Sequence, residues 1–401
     1  MDLLVLDTIH GGNALAAALS AAGHRVDRVD VYRGAEGISR GDALSRRYDL
    51  IVAPVHLGPG EPLLRETTVP VISHHDAVRW LIGRDVPSPM VEITGARGKT
   101  TTAHALASVM KGAGILHSSA GTFRYPERIL LGQKSITPAS VIGAVKESSN
   151  CGGWLIAEES LGVTGAGDLA VITSERDYPC AGGSRSALSE KLRSGLRCRK
   201  LLVAPGVPAP EGVAVHLEDM VTFDGTRCVV DGISFSNPLL ELDAYRTPLA
   251  LAAAAACILS LDPSPLSAFA PVKGRLSVTR EEGMTVVDDA NSGVNAETAC
   301  DAARYARTIS REDRVALVIG RVASTVCEGF PAPEIARAIR WIRPAEVVYV
   351  SDEPGVPEEV GLAAKENRAG VRVAGTLAEG KQLAMASGGG ASVVLAVKTW
   401  R

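Results

Sequence analysis

The stretch VEITGARGKTTTAHALASVM, residues 91–110, is the most informative part of the chain. An apolar strand runs into Gly95 and Gly98, and Lys99 and Thr100 then open an Ala-rich helix. A glycine-rich turn after a strand exposes backbone N–H groups, and the positive end of the helix dipole points to the same place. This order of strand, loop and helix predicts a phosphate-binding loop within an α/β fold.

The polar groups of the loop have expected roles. We expect Lys99 to reach the β- and γ-phosphates of a nucleotide and Thr100 to hold Mg²⁺. The predicted nucleotide-binding residues of the loop are Thr94, Gly95, Ala96, Arg97, Gly98, Lys99, Thr100 and Thr101. The loop by itself does not distinguish a motor, a nucleotide-dependent switch and a ligase that uses the nucleotide to make a bond.

The composition limits the kinds of partner. The 401 residues carry a net charge of −3 from 42 basic and 45 acidic side chains. Because no basic run occurs, we expect neither nucleic acid nor an anionic membrane surface as a partner. Hydrophobic residues make up 46% of the chain and aromatic residues only 4%, which predicts an aliphatic core between alternating strands and helices.

The sequence also favours a reduced, cytoplasmic protein. Its longest apolar run, PLALAAAAACILSL at 248–261, is shorter than the ~20 residues of a membrane-spanning helix, so we predict a buried helix there. The first residues, MDLLVLDTIHGG, lack the basic start and the long apolar core of a signal peptide. Seven cysteines without a Cys-x-x-Cys pair argue against structural zinc and a disulfide framework.

Strands and helices alternate in three blocks, which predicts open parallel sheets. The blocks cover residues 1–88, 89–268 and 269–401, and Pro-rich linkers lie at 83–90 and 261–272. In the second block, TFDGTRCVVDGISFSNPLLEL predicts short antiparallel strands around an Asp-Gly turn. Ligands of parallel sheets bind at the carboxyl ends of the strands, so we expect functional side chains there.

The spacing of the phosphate loop resembles that of the Mur ligase family, which includes the folylpolyglutamate synthetases. The common P-loop has four residues between its glycines, whereas the pattern here, Thr-Gly-x-x-Gly-Lys-Thr-Thr, has two. The resemblance implies a Rossmann-like substrate domain at 1–88, a central P-loop ATPase domain at 89–268 and a C-terminal α/β ligase domain at 269–401. It also implies ATP and Mg²⁺ as cofactors.

The resemblance extends to an acidic strand end. The family carries Glu-x-Ser-Ser, whose Glu binds Mg²⁺, and WLIAEES here offers Glu158 with Ser160, while Leu161 replaces the second Ser. The resemblance thus implies Glu158 as a metal ligand beside Thr100, with Glu159 as the neighbouring candidate. The structural alternative is an exposed acidic strand end without a metal.

The following strand departs from the family pattern. Where the family has an Asp-His pair with a second metal-binding His, this chain has Asp177 and Tyr178, so a second Mg²⁺ site is in doubt. The family often has a carbamylated lysine in the next helix, and Lys191 is the nearest match. The alternative for Lys191 is a solvated lysine on the helix surface.

The third block also resembles the family. VKGRLSV places Arg275 where an arginine reaches the nucleotide phosphates, and VVDDANSG places Asp288 where an aspartate contacts ATP. Asn291 stands where the family has a His. The adenine-side motif of the family, His-Asn-x-x-Asn, is represented only by YRTPL at 245–249.

Mur-type ligases activate a carboxylate as an acyl phosphate, and a nucleophile then displaces the phosphate. Such chemistry needs positioning and neutralisation of charge more than a dedicated acid or base. The resemblance therefore implies catalytic roles for Lys99, Glu158, Lys191 and Arg275. Two other functions stay open: an amide-forming ligase for an amino acid, and a nucleotide-dependent switch.

The first block narrows the choice of ligase. LVLDTIHGGNALAAALSAAGHRVDRVDVYRG and AEESLGVTGAGDLAVITSERDYPCAGG resemble the coenzyme F(430) synthetases, small Mur-like ligases of methanogenic archaea. This resemblance implies that the partner is a nickel tetrapyrrole. A propionate of its seco acid would be phosphorylated by ATP, and a ring carbon of the same macrocycle would attack it and close the last carbocyclic ring.

Four histidines follow predicted strands of the first block: His10, His56, His74 and His75. Because carboxyl ends of parallel strands share one edge, these side chains are expected to converge on a crevice. Imidazole binds metals and, when protonated, pairs with carboxylates, and a nickel tetrapyrrole acid offers both. We predict that this edge binds the substrate, and that His10 contacts it at a helix N-terminus. The alternative is that these histidines hydrogen-bond backbone groups or face solvent.

Overall fold

The computed structural model describes residues 1–399 except 35, 66, 84–85, 323–329 and 388–391. Two compact units make up the chain. The first unit contains Met1–Leu240 and Tyr245–Ala268, and the second contains Glu241–Ala244 and Phe269–Arg401. Apart from Glu241–Ala244, the first two blocks of the sequence both lie in the first unit, and the assignment of three separate domains stays a prediction.

The chain opens with four parallel strands in the order β2-β1-β3-β4. These strands are β1 (Asp2–Leu6), β2 (Arg25–Val29), β3 (Leu50–Ala53) and β4 (Val71–Ser73). The helices between and after them are α1 (Gly12–Ala21), α2 (Arg40–Ser45), α3 (Pro62–Arg65) and α4 (His74–Ile82). Side chains alternate across β1: Leu3 and Val5 pack in one apolar cluster, and Leu4 and Leu6 pack in another.

One boundary differs from the prediction. The segment VPVISHH, residues 69–75, predicts a strand over its whole length. The observed strand ends at Ser73 instead, and His74 and His75 open α4. Ser73 caps the helix: its hydroxyl accepts a hydrogen bond from the Asp76 N–H, and the Asp76 carboxylate accepts one from the Ser73 N–H. This capping box is encoded by Ser-His-His-Asp and starts the helix two residues earlier than the apolar pattern indicates.

An eight-stranded sheet carries the phosphate loop. Its order is β14-β13-β10-β5-β9-β6-β7-β8, and the pairs β6–β7 and β7–β8 are antiparallel while the others are parallel. The strands are β5 (Met90–Thr94), β6 (Gly114–Ser118), β7 (Gly121–Tyr125), β8 (Ile129–Gly132), β9 (Trp154–Glu158), β10 (Leu169–Ile172), β13 (Lys200–Val203) and β14 (Val215–His216). WLIAEE, DLAVITS and KLLVAPG, whose apolar runs predict strands, contain β9, β10 and β13.

The remaining elements of the first unit surround this sheet. Short antiparallel sheets form from β11 (Pro179–Cys180) with β12 (Arg185–Ser186), and from β15 (Val221–Asp224), β16 (Arg227–Val230) and β17 (Ile233–Ser236). The predicted antiparallel strands around the Asp-Gly turn are therefore confirmed. The helices are α5 (Lys99–Val109), α6 (Pro138–Cys151), α7 (Ala187–Gly195), α8 (Leu217–Met220) and α9 (Asp243–Ile258), with 3₁₀ turns at Pro238–Glu241 and Ser264–Ala268.

The apolar run at 248–261 forms a buried helix segment up to Ile258, where α9 ends, and every residue from Leu249 to Ala256 has no exposed surface. In the described part of the chain, the helices fall short of the length and apolar character that crossing a membrane requires. Six cysteines are described and all are free thiols, and the seventh, Cys327, lies outside the described residues.

The second unit is built on a six-stranded sheet in the order β18-β19-β23-β20-β21-β22. The strands are β18 (Ser277–Glu281), β19 (Met284–Asp288), β20 (Val315–Arg321), β21 (Glu346–Val350), β22 (Gly370–Ala374) and β23 (Ser392–Lys398). The helices are α10 (Ala296–Ser310), α11 (Ala332–Ile342), α12 (Glu358–Glu366) and α13 (Leu377–Ala386). All strand pairs are parallel except β18–β19, whose edge strand was not predicted.

Candidate active site

The phosphate loop joins the carboxyl end of β5 to the N-terminus of α5. Gly98 caps α5 with φ of +84°, a left-handed conformation that favours glycine. Gly95 has φ of +151°, and a Cβ there would clash with the Thr173 hydroxyl. That hydroxyl donates a hydrogen bond to the Arg97 carbonyl at 2.5 Å. Thr173 directly follows β10, the neighbour of β5 in the sheet, so the end of β10 fixes the conformation of the loop.

The lysine of the loop lies across it. Lys99 Nζ donates to the Gly95 carbonyl at 3.0 Å, and the Ala96 N–H donates to the Ser174 hydroxyl at 3.2 Å. The helix N-terminus and the ammonium group therefore lie at one side of the loop, where an anionic phosphate is stabilised by both.

The two predicted metal ligands meet beside this loop. The Thr100 hydroxyl lies 3.1 Å from Oε1 and 3.0 Å from Oε2 of Glu158. Ser119, which follows β6, lies 2.9 Å from the Thr100 hydroxyl and donates its N–H to Glu158 at 2.9 Å. The Thr100 and Glu158 side chains are nearly fully buried. Hydroxyl and carboxylate oxygens are the donors that Mg²⁺ prefers.

Glu159 points away from this cluster. It is fully buried, and desolvation together with the neighbouring Glu92 raises the pKa of its carboxyl well above the usual value. Glu92 accepts hydrogen bonds from the backbone N–H groups of Thr164, Gly165 and Gly167. Glu159 directly follows Glu158 but lies on the opposite side of the chain, beside Glu92.

The loop after β10 carries the departure from the family pattern. Tyr178 presents its ring to Lys191, whose Nζ lies 4.5 Å from the ring centroid. Lys191 has no exposed surface, which excludes the alternative of a solvated helix lysine. Asp177 instead accepts hydrogen bonds from the Leu188 N–H at 2.9 Å and from the Ser186 hydroxyl at 2.7 Å, and so anchors the start of α7.

The segment with the family's adenine-side position lies against the loop. YRTPL occupies the early part of α9, and a Cβ at Gly98 would lie 3.3 Å from Pro248 Cγ. Tyr245 is buried in the same segment. The fold therefore brings 245–249 next to the phosphate loop although its residues differ from the family pattern.

In the second unit, the predicted residues Arg275, Asp288 and Asn291 are organised around one loop. The Asn291 amide donates to the Gly274 carbonyl at 2.8 Å, which ties the turn before Arg275 to the end of β19. Asp289 is buried beside them, and desolvation raises the pKa of its carboxyl to about 8, even though the charge of Arg275 opposes this shift.

The histidines of the first sheet separate into two pairs. His10 and His56 converge on Asp7, which follows β1: His10 Nδ1 lies 2.8 Å from Asp7 Oδ2, and His56 Nε2 lies 3.8 Å from the same oxygen. Tyr32 borders the pair, with its ring centroid 5.3 Å from that of His10 and 6.0 Å from that of His56.

His74 and His75 are buried in the first turn of α4. His74 Nε2 lies 3.0 Å from the Leu6 carbonyl oxygen, and His75 Nε2 lies 3.1 Å from that of Ser160. Burial lowers the pKa of His74 to about 4 and that of His75 to about 3, so both are neutral at physiological pH. The structure places them as backbone-bonded histidines inside the fold, which is the alternative that the sequence left open.

The edge of the first sheet that carries His10 and His56 lies next to loops of the eight-stranded sheet. A Cβ at Gly11 would lie 2.6 Å from the Thr137 hydroxyl, and one at Gly58 would lie 3.4 Å from the Ala181 carbonyl oxygen. The Ser160 N–H donates to the Ile136 carbonyl at 3.0 Å, so the loop before α6 also contacts the strand end that carries Glu158. His10, His56 and the metal-ligand candidates are thus linked through contiguous loops of one unit.

Comparison with known proteins identifies the family. A family model described as coenzyme F430 synthetase CfbE, C-terminal domain, matches residues 278–399. The coenzyme F(430) synthetase of Methanosarcina acetivorans is 30% identical over 475 aligned positions, which cover 100% of this chain and 98% of the relative. The chain belongs to the coenzyme F(430) synthetase family. As a coenzyme F(430) synthetase-family member, it is an ATP-dependent ligase.

Solved structures show that this coenzyme F(430) synthetase-family chain has a fold similar to that of Mur ligases. UDP-N-acetylmuramate–alanine ligase MurC of Thermotoga maritima has a TM-score of 0.54 at 14% identity, covering 99% of this chain and 95% of that chain. The bifunctional folylpolyglutamate synthase/dihydrofolate synthase of Yersinia pestis, complexed with AMPPNP and a Mn ion, has a TM-score of 0.54 at 18% identity, covering 82% and 90%. The predicted multi-domain α/β class is confirmed.

Several neighbours of the site were not predicted from the sequence. Asp7, Ser119 and Ser174 each follow a strand of a parallel sheet, so the rule that led to the histidines also applies to them. Asp289 lies next to the predicted Asp288, but its burial depends on how α10 packs and has no local signal.

Proposed function

We propose that this ligase closes the final carbocyclic ring of the nickel tetrapyrrole coenzyme F(430) from its seco acid. The observation that carries the proposal is the cluster of Lys99, Thr100 and Glu158, a phosphoryl-transfer arrangement, in a chain that belongs to this family throughout its length. ATP and the seco acid are the substrates, and ADP, phosphate and the cyclised macrocycle are the products.

The reaction has two steps. A propionate oxygen attacks the γ-phosphorus of ATP, forming an acyl phosphate and releasing ADP. A ring carbon of the same macrocycle, having lost a proton to a base, then attacks the acyl carbon, a C–C bond forms, and phosphate leaves with one former carboxylate oxygen. The substrate loses the elements of one water, and no amine is consumed.

Residues of the first unit supply the charge neutralisation. Lys99, now bonded to the Gly95 carbonyl, turns to the transferred phosphoryl group. Thr100 and Glu158 hold the divalent metal, which we propose is Mg²⁺ because their donor set consists of oxygen atoms. Held by these residues, the metal would supply neutralisation of the charge that develops during phosphoryl transfer.

The other predicted residues keep their proposed roles. Lys191 is buried against Tyr178, where carbamylation would convert a costly buried ammonium into an anion. Arg275, Asp288 and Asn291 are proposed nucleotide contacts from the family pattern.

We propose that the edge bearing His10 and His56 receives the macrocycle. His10 has 40% of its side chain exposed and His56 has 26%, so both are accessible from this edge. His74 and His75 belong to the same proposed substrate edge as supporting residues, because they hold the Leu6 and Ser160 carbonyls from inside the fold.

Isotope transfer tests the acyl phosphate directly. Seco acid labelled with ¹⁸O in its propionate carboxylates would be incubated with protein, ATP and Mg²⁺, and the released phosphate analysed by mass spectrometry. We expect one ¹⁸O atom in each phosphate formed during turnover. Unlabelled phosphate together with ring closure would exclude carboxylate activation, and ADP formation without added acid would instead favour a nucleotide-dependent switch.

A further inference from the structure

Asp7, His10 and His56 form a compact group apart from the phosphate loop. Within the described part of the chain, it is the one set of three His, Cys, Asp or Glu side chains whose ligand atoms all lie within 4.8 Å of one another. We propose that these three side chains bind a single divalent transition-metal ion of the Co²⁺, Ni²⁺ and Zn²⁺ class. This site is separate from the Mg²⁺ of ATP and does not depend on the proposed function.

Asp7 is oriented for such a role. Its Oδ1 accepts the N–H groups of Ile9 and His10 at 2.8 Å and 3.1 Å, which leaves Oδ2 directed at the two imidazoles. The side chain is fully buried, and Asp7 has φ of 76°, a left-handed conformation that costs free energy for a residue other than glycine. The fold thus holds one carboxylate oxygen in a fixed place between two histidines.

His56 supplies the second observation. Its Nε2 is buried and, among the described residues, has no hydrogen-bond partner, although it lies 3.8 Å from Asp7 Oδ2. A buried polar nitrogen without a partner is unfavourable, and a bound ion would remove that cost.

The distances suit three ligands on one face of an ion. Two donors about 2.1 Å from a metal and at right angles to each other lie about 3 Å apart. His10 Nδ1 and Asp7 Oδ2 are 2.8 Å apart, and His56 Nε2 lies 3.8 Å from Asp7 Oδ2, so binding an ion requires a shift of about 1 Å at His56. Two histidines and one carboxylate on one face leave further positions open to water or to an oxygen ligand.

The number of ligands distinguishes a free ion from the metal of a macrocycle. A tetrapyrrole fills four positions in one plane around its nickel, and only one axial position then faces the protein from either side. Three side chains that converge on one point therefore match an ion with three adjacent free positions. If the proposed function holds, an open position of this ion would face the substrate edge and could accept a substrate carboxylate.

Binding of Co²⁺ to the full chain tests the site and does not require a measurement of ligase activity. Protein without a histidine tag would be stripped with a chelator and titrated with Co²⁺ in excess Mg²⁺, which occupies the oxygen-rich site of Thr100 and Glu158. We expect one Co²⁺ per chain with visible absorption bands, displaced by Zn²⁺ and by Ni²⁺. Zn²⁺ should also raise the melting temperature, because it binds only the folded state.

Variants locate the ion. His10→Ala and His56→Ala should each weaken Co²⁺ binding by about 100-fold or more. His24→Ala is the matched control, since this imidazole stacks against Trp80 with ring centroids 4.9 Å apart, and it should bind Co²⁺ like the wild type. Asp7→Asn keeps an acceptor for the loop N–H groups while removing the anion, and it should also weaken Co²⁺ binding. If the Asp7 variant fails to fold, the two histidine variants alone decide whether the ion binds here. Absence of stoichiometric binding in the wild type, or unchanged binding in both histidine variants, would overturn the proposal.

Discussion

The Thr100 hydroxyl lies 3.0 Å from a carboxylate oxygen of Glu158, although 58 residues separate them in the chain. Thr100 lies in the first turn of the helix after β5, and Glu158 ends β9, which pairs with β5 in parallel. The sheet therefore places the two oxygen donors side by side at its carboxyl edge, next to the phosphate loop.

The two adjacent glutamates should respond differently to the same substitution. Glu158→Gln removes a proposed metal ligand and should raise the Mg²⁺ concentration for half-maximal activity by about tenfold or more. Glu159 is fully buried beside Glu92, which with burial raises the pKa of its carboxyl well above the usual value, so Glu159→Gln should leave the Mg²⁺ requirement unchanged. Activity measured across a Mg²⁺ titration compares them. A raised requirement only in the Glu159 variant would reverse the assignment.

Lys99→Ala should abolish ligation and leave the fold intact. Loss of one preorganised charge contact costs about 3–4 kcal/mol of transition-state stabilisation, or roughly 10²–10³ in rate. Turnover at saturating ATP and far-ultraviolet circular dichroism would measure the two effects. Lys146→Ala, at an exposed position of α6, is the control and should keep full activity. Near-wild-type turnover of the Lys99 variant would show that the loop does not bind the transferred phosphate.

Gly95→Ala should damage nucleotide binding and stability together. The added Cβ meets the Thr173 hydroxyl and requires a backbone conformation that favours glycine, which typically costs about 1–3 kcal/mol. Urea unfolding and nucleotide titration would measure both effects. Gly361→Ala is the control: within α12 its Cβ would have no neighbour within 4 Å, and helix propensity favours alanine. Equal stability and nucleotide affinity in both variants would contradict the described loop geometry.

Asp289 should make stability depend on pH. Burial raises its pKa to about 8 from the unfolded value of 3.8, so the folded state keeps a proton that the unfolded state releases between these values. This contribution is fully present below about pH 4 and is lost as pH rises through about 8. Asp289→Asn keeps the shape and removes the titration, so its urea midpoint should fall less than that of the wild type between pH 5 and pH 8, values that bracket most of this window. Parallel pH profiles would contradict the burial of an ionisable group there.

Local patterns predicted the phosphate loop, because its strand, glycines, lysine and helix lie within one short segment. The convergence of His10 and His56 was predicted because the carboxyl ends of parallel strands share one edge of the sheet. Glu158 and Glu159 point to opposite sides because successive side chains of an extended chain alternate in direction. These features are set by single strands and the turns that follow them, so they can be predicted without knowing how the rest of the chain packs.

Other features depend on packing that the sequence does not display locally. Lys191 is buried because α7 turns that face toward Tyr178, and a helix pattern alone does not show which neighbour covers a lysine. His74 became part of a helix through the Ser73 cap, a short-range signal that competed with the strand pattern. The antiparallel strands β8 and β18 lie at sheet edges and are mostly exposed, so they lack the continuous apolar runs of the central strands.

Mass spectrometry of the reaction product tests the central claim most directly. The purified protein would be incubated with ATP, Mg²⁺ and the ring-open nickel tetrapyrrole acid, with and without an added mixture of amino acids. We predict a product lighter than the substrate by one water, formed equally in both samples and only with ATP. A product that appears only with amino acids, and is heavier by one amino acid less a water, would identify an amide ligase and contradict ring closure.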